Sequence, residues 1–126
     1  MYTIYFYETP SGESPLWDFM ESLRIKSSTN KSARILHKQF SLYIQLLTEN
    51  GTNLPNVIAK HLKDEIWELR PGKHRILFFQ YNDSSFILLH HFRKKSQKTP
   101  QQEIAKAKRE QSNWLARKEI SNENME

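Results

Sequence analysis

Apolar residues along the chain change period several times, and each change marks an element. Tyr2–Tyr7 is an aromatic and β-branched run ending before Pro10, which predicts a first strand. Ser14-Pro15 offers an N-cap followed by proline, and Leu16, Phe19, Met20 and Leu23 then recur at helical spacing. A helix is expected over about 14–25. After the polar break SSTNKS, Ala33, Leu36, Phe40, Tyr43, Ile44 and Leu47 form one stripe from about Asn30 to the stop at Asn50-Gly51. Residues 51–59 read as a loop. Three apolar runs follow, Glu65–Arg70, His74–Tyr81 and Phe86–Phe92, separated by the turns Pro71-Gly72-Lys73 and Asn82-Asp83-Ser84-Ser85. This spacing predicts an antiparallel meander. Thr99-Pro100-Gln101-Gln102 resembles a capping box opening a last helix of about 100–118, whose apolar face (Ile104, Ala107, Leu115) is thin.

The expected order is β-α-α-β-β-β-α, an α+β class in two layers. An antiparallel sheet, made of the N-terminal strand and the three-stranded meander, is covered by two N-terminal helices, with a C-terminal helix. One domain over 1–118 and a frayed tail over 119–126 are expected.

Charge sharpens this picture. Of the 126 residues, 1–59 carry five Lys/Arg against five Asp/Glu, and 101–126 carry the same five and five. Residues 60–100 carry nine cations, Lys60, Lys63, Arg70, Lys73, Arg75, Arg93, Lys94, Lys95 and Lys98, against four acids. The whole excess of +5 therefore sits in one third of the chain, as a polyanion partner requires. There is no cysteine, so a disulfide framework is excluded. MYTIYFYETP lacks the pattern of a signal peptide, and no apolar run reaches the length of a membrane span; a cytoplasmic protein without membrane contact is expected.

Around the Gly72-Lys73 loop, a symmetric hairpin places Arg70 opposite Arg75. Like charges facing each other on a sheet are unfavourable unless an anion lies between them. The competing reading pairs Arg70 with Glu68 or with a helix acid. His90 and His91 are consecutive strand residues, so at most one of them shares a face with the arginines. Cations converging with Lys94 and Lys95 form a phosphate cradle and make a neighbouring lysine or histidine a better base. RNA cleavage by 2′-hydroxyl attack needs such a base, cations for the phosphorane charge and an acid for the leaving oxygen. The sequence has no carboxylate cluster suited to magnesium, so no metal and no cofactor is expected. Tyr5, Tyr7, Phe78, Phe79, Tyr81 and Phe92 are candidates for base stacking, but most are expected in the core. Trp67 and Phe78 are expected on the helix-packed face opposite the arginines.

The stretch KHLKDEIWELRPGKHRILFFQYNDSSFILLHHFRKKSQKTPQQEIAKAKRE resembles the RelE/HigB superfamily of toxins from bacterial type II toxin–antitoxin modules. It is most similar to the phage-derived HigB-like branch and its "LWELR…RILFF…LLHxFxKKxQKTPxxEIxxAxxR" signature. YTIYFY…GESPLWDFMESL also fits that branch. The resemblance implies a RelE-like fold and an endoribonuclease (mRNA interferase) acting on messenger RNA in the ribosomal A site. It further implies a HigA-like helix-turn-helix antitoxin, with operator DNA reached only through that antitoxin. The family's basic positions correspond to Arg70, Arg75, Lys94 and Lys95, while Lys60 and His61 lie where some members carry further basic or histidine residues. Several members use a C-terminal tyrosine, but none follows Tyr81 here, which leaves His90, His91 or a lysine as general base. The expected catalytic set is Arg75 as transition-state cation, Lys94 or Lys95 as base or acid, Arg70 on substrate phosphate, and His90 and His91. Lys60, His61, Lys63, Lys73, Arg93 and Lys98 are the expected RNA-binding residues. The alternatives are a ParE-like gyrase poison on the same fold, a non-catalytic RNA-binding module, and a partner protein whose basic patch matches an acidic surface.

Overall fold

The computed structural model describes the backbone of residues 1–125 and the side chains of 1–119. The elements run β1 (Thr3–Phe6), α1 (Pro15–Lys26), α2 (Lys31–Asn50), β2 (Ala59–Lys63), β3 (Ile66–Leu69), β4 (His74–Asn82), β5 (Ser85–Arg93) and α3 (Gln101–Met125). The expected tail, 119–126, falls almost wholly outside the described side chains.

The α+β class holds, with three differences. The sheet has five strands, ordered β1-β5-β4-β3-β2. The extra strand, β2, has the sequence AKHLK, in which only Ala59 is buried; it exists because its backbone pairs with β3, from Ala59↔Leu69 to Lys63↔Ile66. A lysine-rich edge strand carries no apolar periodicity to read, and its charges discourage further edge pairing. Secondly, the sheet is mixed, because β1 runs parallel to β5, with Ile4 beside Phe86 and Phe6 beside Leu88. The chain leaves β1 through two helices before re-entering the sheet, and such a crossover permits a parallel pairing.

Thirdly, helices cover both faces. α1 and α2 pack on one face, where Leu16, Phe40 and Leu47 of the helices meet Leu69, Ile76, Phe78, Phe86 and Leu88 of the sheet. Trp67 packs against this cluster, as expected. α3 crosses the other face, where Ala107 and Trp114 join Ile66, Leu77, Phe79, Ile87 and Leu89. Its thin apolar stripe is sufficient because polar ties supplement it. The Tyr7 hydroxyl donates to Asn113 Oδ1 at 3.0 Å, Lys108 pairs with Asp64, and the Arg117 guanidinium donates to the carbonyls of Glu8 and Thr9.

The helix starts differ in chemistry. Asn30 caps α2, its Oδ1 accepting from the Ala33 amide at 2.9 Å. Ser14 holds the N-cap position of α1, but its hydroxyl makes no cap bond. The hydroxyl of Thr99, read from the sequence as a cap, instead donates to the Glu68 carboxylate at 2.6 Å.

Candidate nucleic-acid interface

β2, β3 and the segment joining β5 to α3 enclose a cleft of about 270 Å³. Lys60, Lys63, Arg70 and Lys98 line it, with Gln97 and Thr99. A second, more open cleft of about 510 Å³ is lined by Lys73, Arg93, Lys94 and Lys95, and Gln97 belongs to its wall too. The two adjoin at that shared residue. A hydrogen bond from the Lys94 amide to the Lys73 carbonyl, 2.8 Å, ties the β3–β4 turn to the end of β5 and brings their cations together. Eight of the nine cations of residues 60–100 therefore line one trough. A line of fixed positive charge in a concave surface raises the local concentration of a polyanion and takes up its phosphates.

The ninth cation, Arg75, is 5% exposed. The register Leu69↔Ile76 continues to Arg70 opposite Arg75, as the symmetric hairpin predicts. The anion between them is internal. Glu68, 3% exposed, presents Oε2 to Arg70 Nε at 3.6 Å and to Arg75 Nε at 3.9 Å. Arg75 also donates to the carbonyls of His74, 2.7 Å, and Gly72, 3.1 Å, so its guanidinium holds the turn together. Burial and the nearby Arg70 charge both push its pKa below the ordinary arginine value. Arg70 reaches the cleft wall, anchored by a hydrogen bond to the Asn56 carbonyl at 3.0 Å.

The two histidines take opposite faces. His90 lies under α3, with Nδ1 2.5 Å from Glu110 Oε1 and Nε2 3.1 Å from Glu103 Oε1. Both ring nitrogens are engaged, and neither faces the trough. His91 lies under α1, stacked on Phe19 at 4.2 Å between centroids, and its Nδ1 is buried without a partner. Burial, with the adjacent His74, pushes its pKa down to about 4. His74 is shifted in the same direction, chiefly by burial and then by Arg93. His61 lines the first cleft, with its ring edge-on to Trp67 at 5.4 Å and Nε2 2.6 Å from the Asp64 carbonyl.

Alternation along Ile66-Trp67-Glu68-Leu69-Arg70 puts Glu68 and Arg70 on one face, and their pairing, the competing reading of the sequence, is present; sequence reasoning missed that the same carboxylate also faces Arg75. It also missed Gln97 and Thr99, whose positions depend on the loop path. Glu103 and Glu110 stand seven residues apart on α3, a spacing of two helical turns that signals a shared partner.

No curated protein matches the chain. Among solved structures, the YoeB–YefM complex from Staphylococcus aureus and the heterotetrameric YoeB–YefM toxin–antitoxin complex from the same organism superpose on 76% of this chain and 99% of theirs. Both give a TM-score of 0.46, at 16% and 15% identity respectively. The model of the family described as phage derived protein Gp49-like (DUF891) matches residues 30–112. That span includes the arginine hairpin, both basic clefts and the N-terminal half of α3 as far as Ser112, and the chain belongs to this phage-derived Gp49-like family.

Proposed function

We propose that the protein is the toxin of a type II toxin–antitoxin module and a ribosome-dependent messenger RNA endoribonuclease, restrained by a HigA-like antitoxin in the cytoplasm. The observation that carries this reading is the convergence of eight cations on one trough, with the single acid in its wall, Glu68, already paired to arginine. The resemblance read from residues 60–110 points the same way. In this reading RNA phosphates run along Lys60, Lys63, Arg70 and Lys98 into the cluster of Lys73, Arg93, Lys94 and Lys95. Arg70 contacts the scissile phosphate, and Arg75 adds positive potential from behind it. With His90 engaged by two glutamates and His91 under α1, proton transfer falls to a lysine, Lys94 or Lys95. The 2′-hydroxyl gives its proton to that base and attacks the phosphorus. The 5′-oxygen leaves with a proton from a second group, and the cations offset the charge of the pentavalent intermediate.

The placement of both histidines beneath helices, His90 under α3 and His91 under α1, favours a second reading, an RNA-binding module without turnover. One experiment separates the two: induced expression of wild type and of Lys94→Ala/Lys95→Ala, with growth and primer extension on an abundant transcript read together. Growth arrest with new RNA ends in wild type alone supports the ribonuclease. RNA binding without new ends supports the module. Growth arrest accompanied by gyrase-linked DNA breaks, without new RNA ends, overturns both.

A further inference from the structure

Of the aromatic side chains that are candidates for base stacking, only Tyr5 and Tyr81 are exposed, at 45% and 37%. Neither lines the trough. They gather instead around Trp114 of α3, towards the β1 edge of the sheet. The Tyr81 ring meets Trp114 edge-on at 4.6 Å and Phe79 meets it at 5.9 Å, so the sheet fixes the indole. Beside it opens a cleft of about 330 Å³, lined by Tyr5, Phe6, Glu8, Trp114, Arg117 and Lys118. The Lys118 ammonium stands 5.2 Å from the centre of the Trp114 ring and 5.8 Å from that of Tyr5. One cation over both rings means that both faces look into the same space.

The charges of this cleft are sorted. Arg117 is a fixed cation, since its guanidinium donates to the carbonyls of Glu8 and Thr9 and lies over the Tyr7 ring at 5.4 Å. Lys118 and Glu8 are exposed, and neither has an ion-pair partner among the described residues. Glu8 also borders a further cleft along the outer edge of β1, with Glu13 and Asp18 in its wall and no Lys or Arg. One end of the site is therefore acidic and the other basic. An organic cation is repelled by Arg117 and Lys118, and a purely apolar ligand leaves the charges unanswered. A flat ring that carries an anion at one end and hydrogen-bond donors at the other answers every wall. Among nucleobases, guanine sets two donors side by side on its Watson–Crick edge, N1–H and the N2 amino group, and one carboxylate accepts both. We propose that the cleft between β1 and the Trp114–Lys118 turn of α3 binds a guanine nucleotide. The base stacks on Tyr5 and Trp114 in the place that Lys118 now covers, with its Watson–Crick edge on Glu8. Lys118 swings onto the 5′-phosphate, with Arg117 behind it. The site shares no residue with the trough, and binding there stands without the ribonuclease reading. The nucleotide is either free or a guanosine of a single RNA strand.

Isothermal titration of the full chain with GMP, IMP and AMP tests the site. IMP lacks the N2 amino group, and AMP turns the N1 acceptor towards the carboxylate. GMP is expected to bind about tenfold or more tightly than AMP, with IMP between them, because hydrogen bonds to a charged group are lost. Tyr5→Ala is expected to weaken GMP binding about tenfold, and Tyr5→Phe to keep it. Glu8→Gln is expected to bring GMP and AMP to similar affinity, and Lys118→Ala to weaken all three nucleotides alike. These three side chains are exposed, and thermal melts of each variant separate lost binding from lost fold. Equal affinity for GMP and AMP, or wild-type GMP binding in Tyr5→Ala or Glu8→Gln, overturns the proposal. The source is read with oligouridine, plain or carrying one guanosine, on wild type, Glu8→Gln and Lys94→Ala/Lys95→Ala. A guanosine preference that only Glu8→Gln abolishes assigns the site to an RNA strand, and GMP binding without that preference assigns it to the free nucleotide. Oligonucleotide binding without GMP binding sinks the site and leaves the RNA reading standing. GMP binding without oligonucleotide binding upholds the site and sinks the RNA reading.

Discussion

Thr99 and Glu68, 31 residues apart in sequence, are joined by a 2.6 Å hydrogen bond that fastens the approach to α3 onto the centre of β3. Glu68 meets this hydroxyl with Oε1 and both arginines with Oε2. One buried carboxylate therefore sets the position of Arg70, the stability of the Arg75 turn and the path of the loop carrying Lys98.

Removing that carboxylate has a graded outcome. Glu68→Ala leaves two guanidinium groups without their counter-charge and is expected to destabilise the fold by about 3 kcal/mol. Glu68→Gln keeps the shape and is expected to cost less. Thr99→Val removes one hydrogen bond and is expected to cost about 1 kcal/mol. Urea unfolding of the three variants checks this order. A loss for Glu68→Gln as large as that for Glu68→Ala would mean that charge, not shape, holds the site.

Arg75→Ala is expected to act on stability before it acts on RNA, because the side chain is buried and holds the carbonyls of Gly72 and His74. Its melting temperature should fall clearly below that of Lys95→Ala, whose side chain is exposed. Paired thermal melts decide the point, and they belong beside any toxicity assay of Arg75 variants.

Trough cations are expected to act on RNA through charge alone. Alanine at Lys60, Lys63, Lys94, Lys95 or Lys98 should weaken binding to all oligonucleotide sequences alike. Each ammonium group taken away from a phosphate should reduce the slope of log K against log salt by about 1. Titrations at several salt concentrations measure this. A variant that changes sequence preference instead would place a base contact at that residue.

His91 predicts how stability depends on pH. Its folded pKa lies near 4, below the ordinary 6.5, so the unfolded chain takes up the proton first as pH falls. Stability contributed by the neutral ring is full above about pH 6.5 and is lost as pH falls towards 4. Discounted for partial solvent contact, the loss is about 1–2 kcal/mol. His91→Phe keeps the stack on Phe19 and should flatten the wild-type curve through this window. Denaturation at pH 7, 5.5 and 4.5 compares the two, and parallel curves would assign the acid sensitivity elsewhere.

His90 is expected to govern α3. His90→Ala leaves Glu103 and Glu110 facing a cavity without a partner, and amide exchange should rise first along α3 and only later in the β4–β5 pair. Exchange that rises equally everywhere would mean that α3 has no separate opening.

The sequence by itself determined the two-faced periodicity of α1, α2 and the long strands, the stop at Gly51, the hairpin that opposes Arg70 to Arg75, and the concentration of charge in residues 60–100. Each is a local property, since spacing, turn chemistry and charge count need no knowledge of what packs where. Tertiary structure decided the rest. β2 forms because β3 offers a backbone ladder, not because AKHLK favours a strand. The faces of the histidines turn on a single bulge. Leu77 pairs with His90 while Phe78 pairs with Leu88, so Leu89 has no partner in β4. Plain alternation from Phe86 and Leu88 would send His90 under α1 and His91 under α3; the extra residue reverses both. That reversal, which only the pairing of β4 with β5 specifies, closes His90 between two glutamates and leaves the trough to its lysines and Arg70.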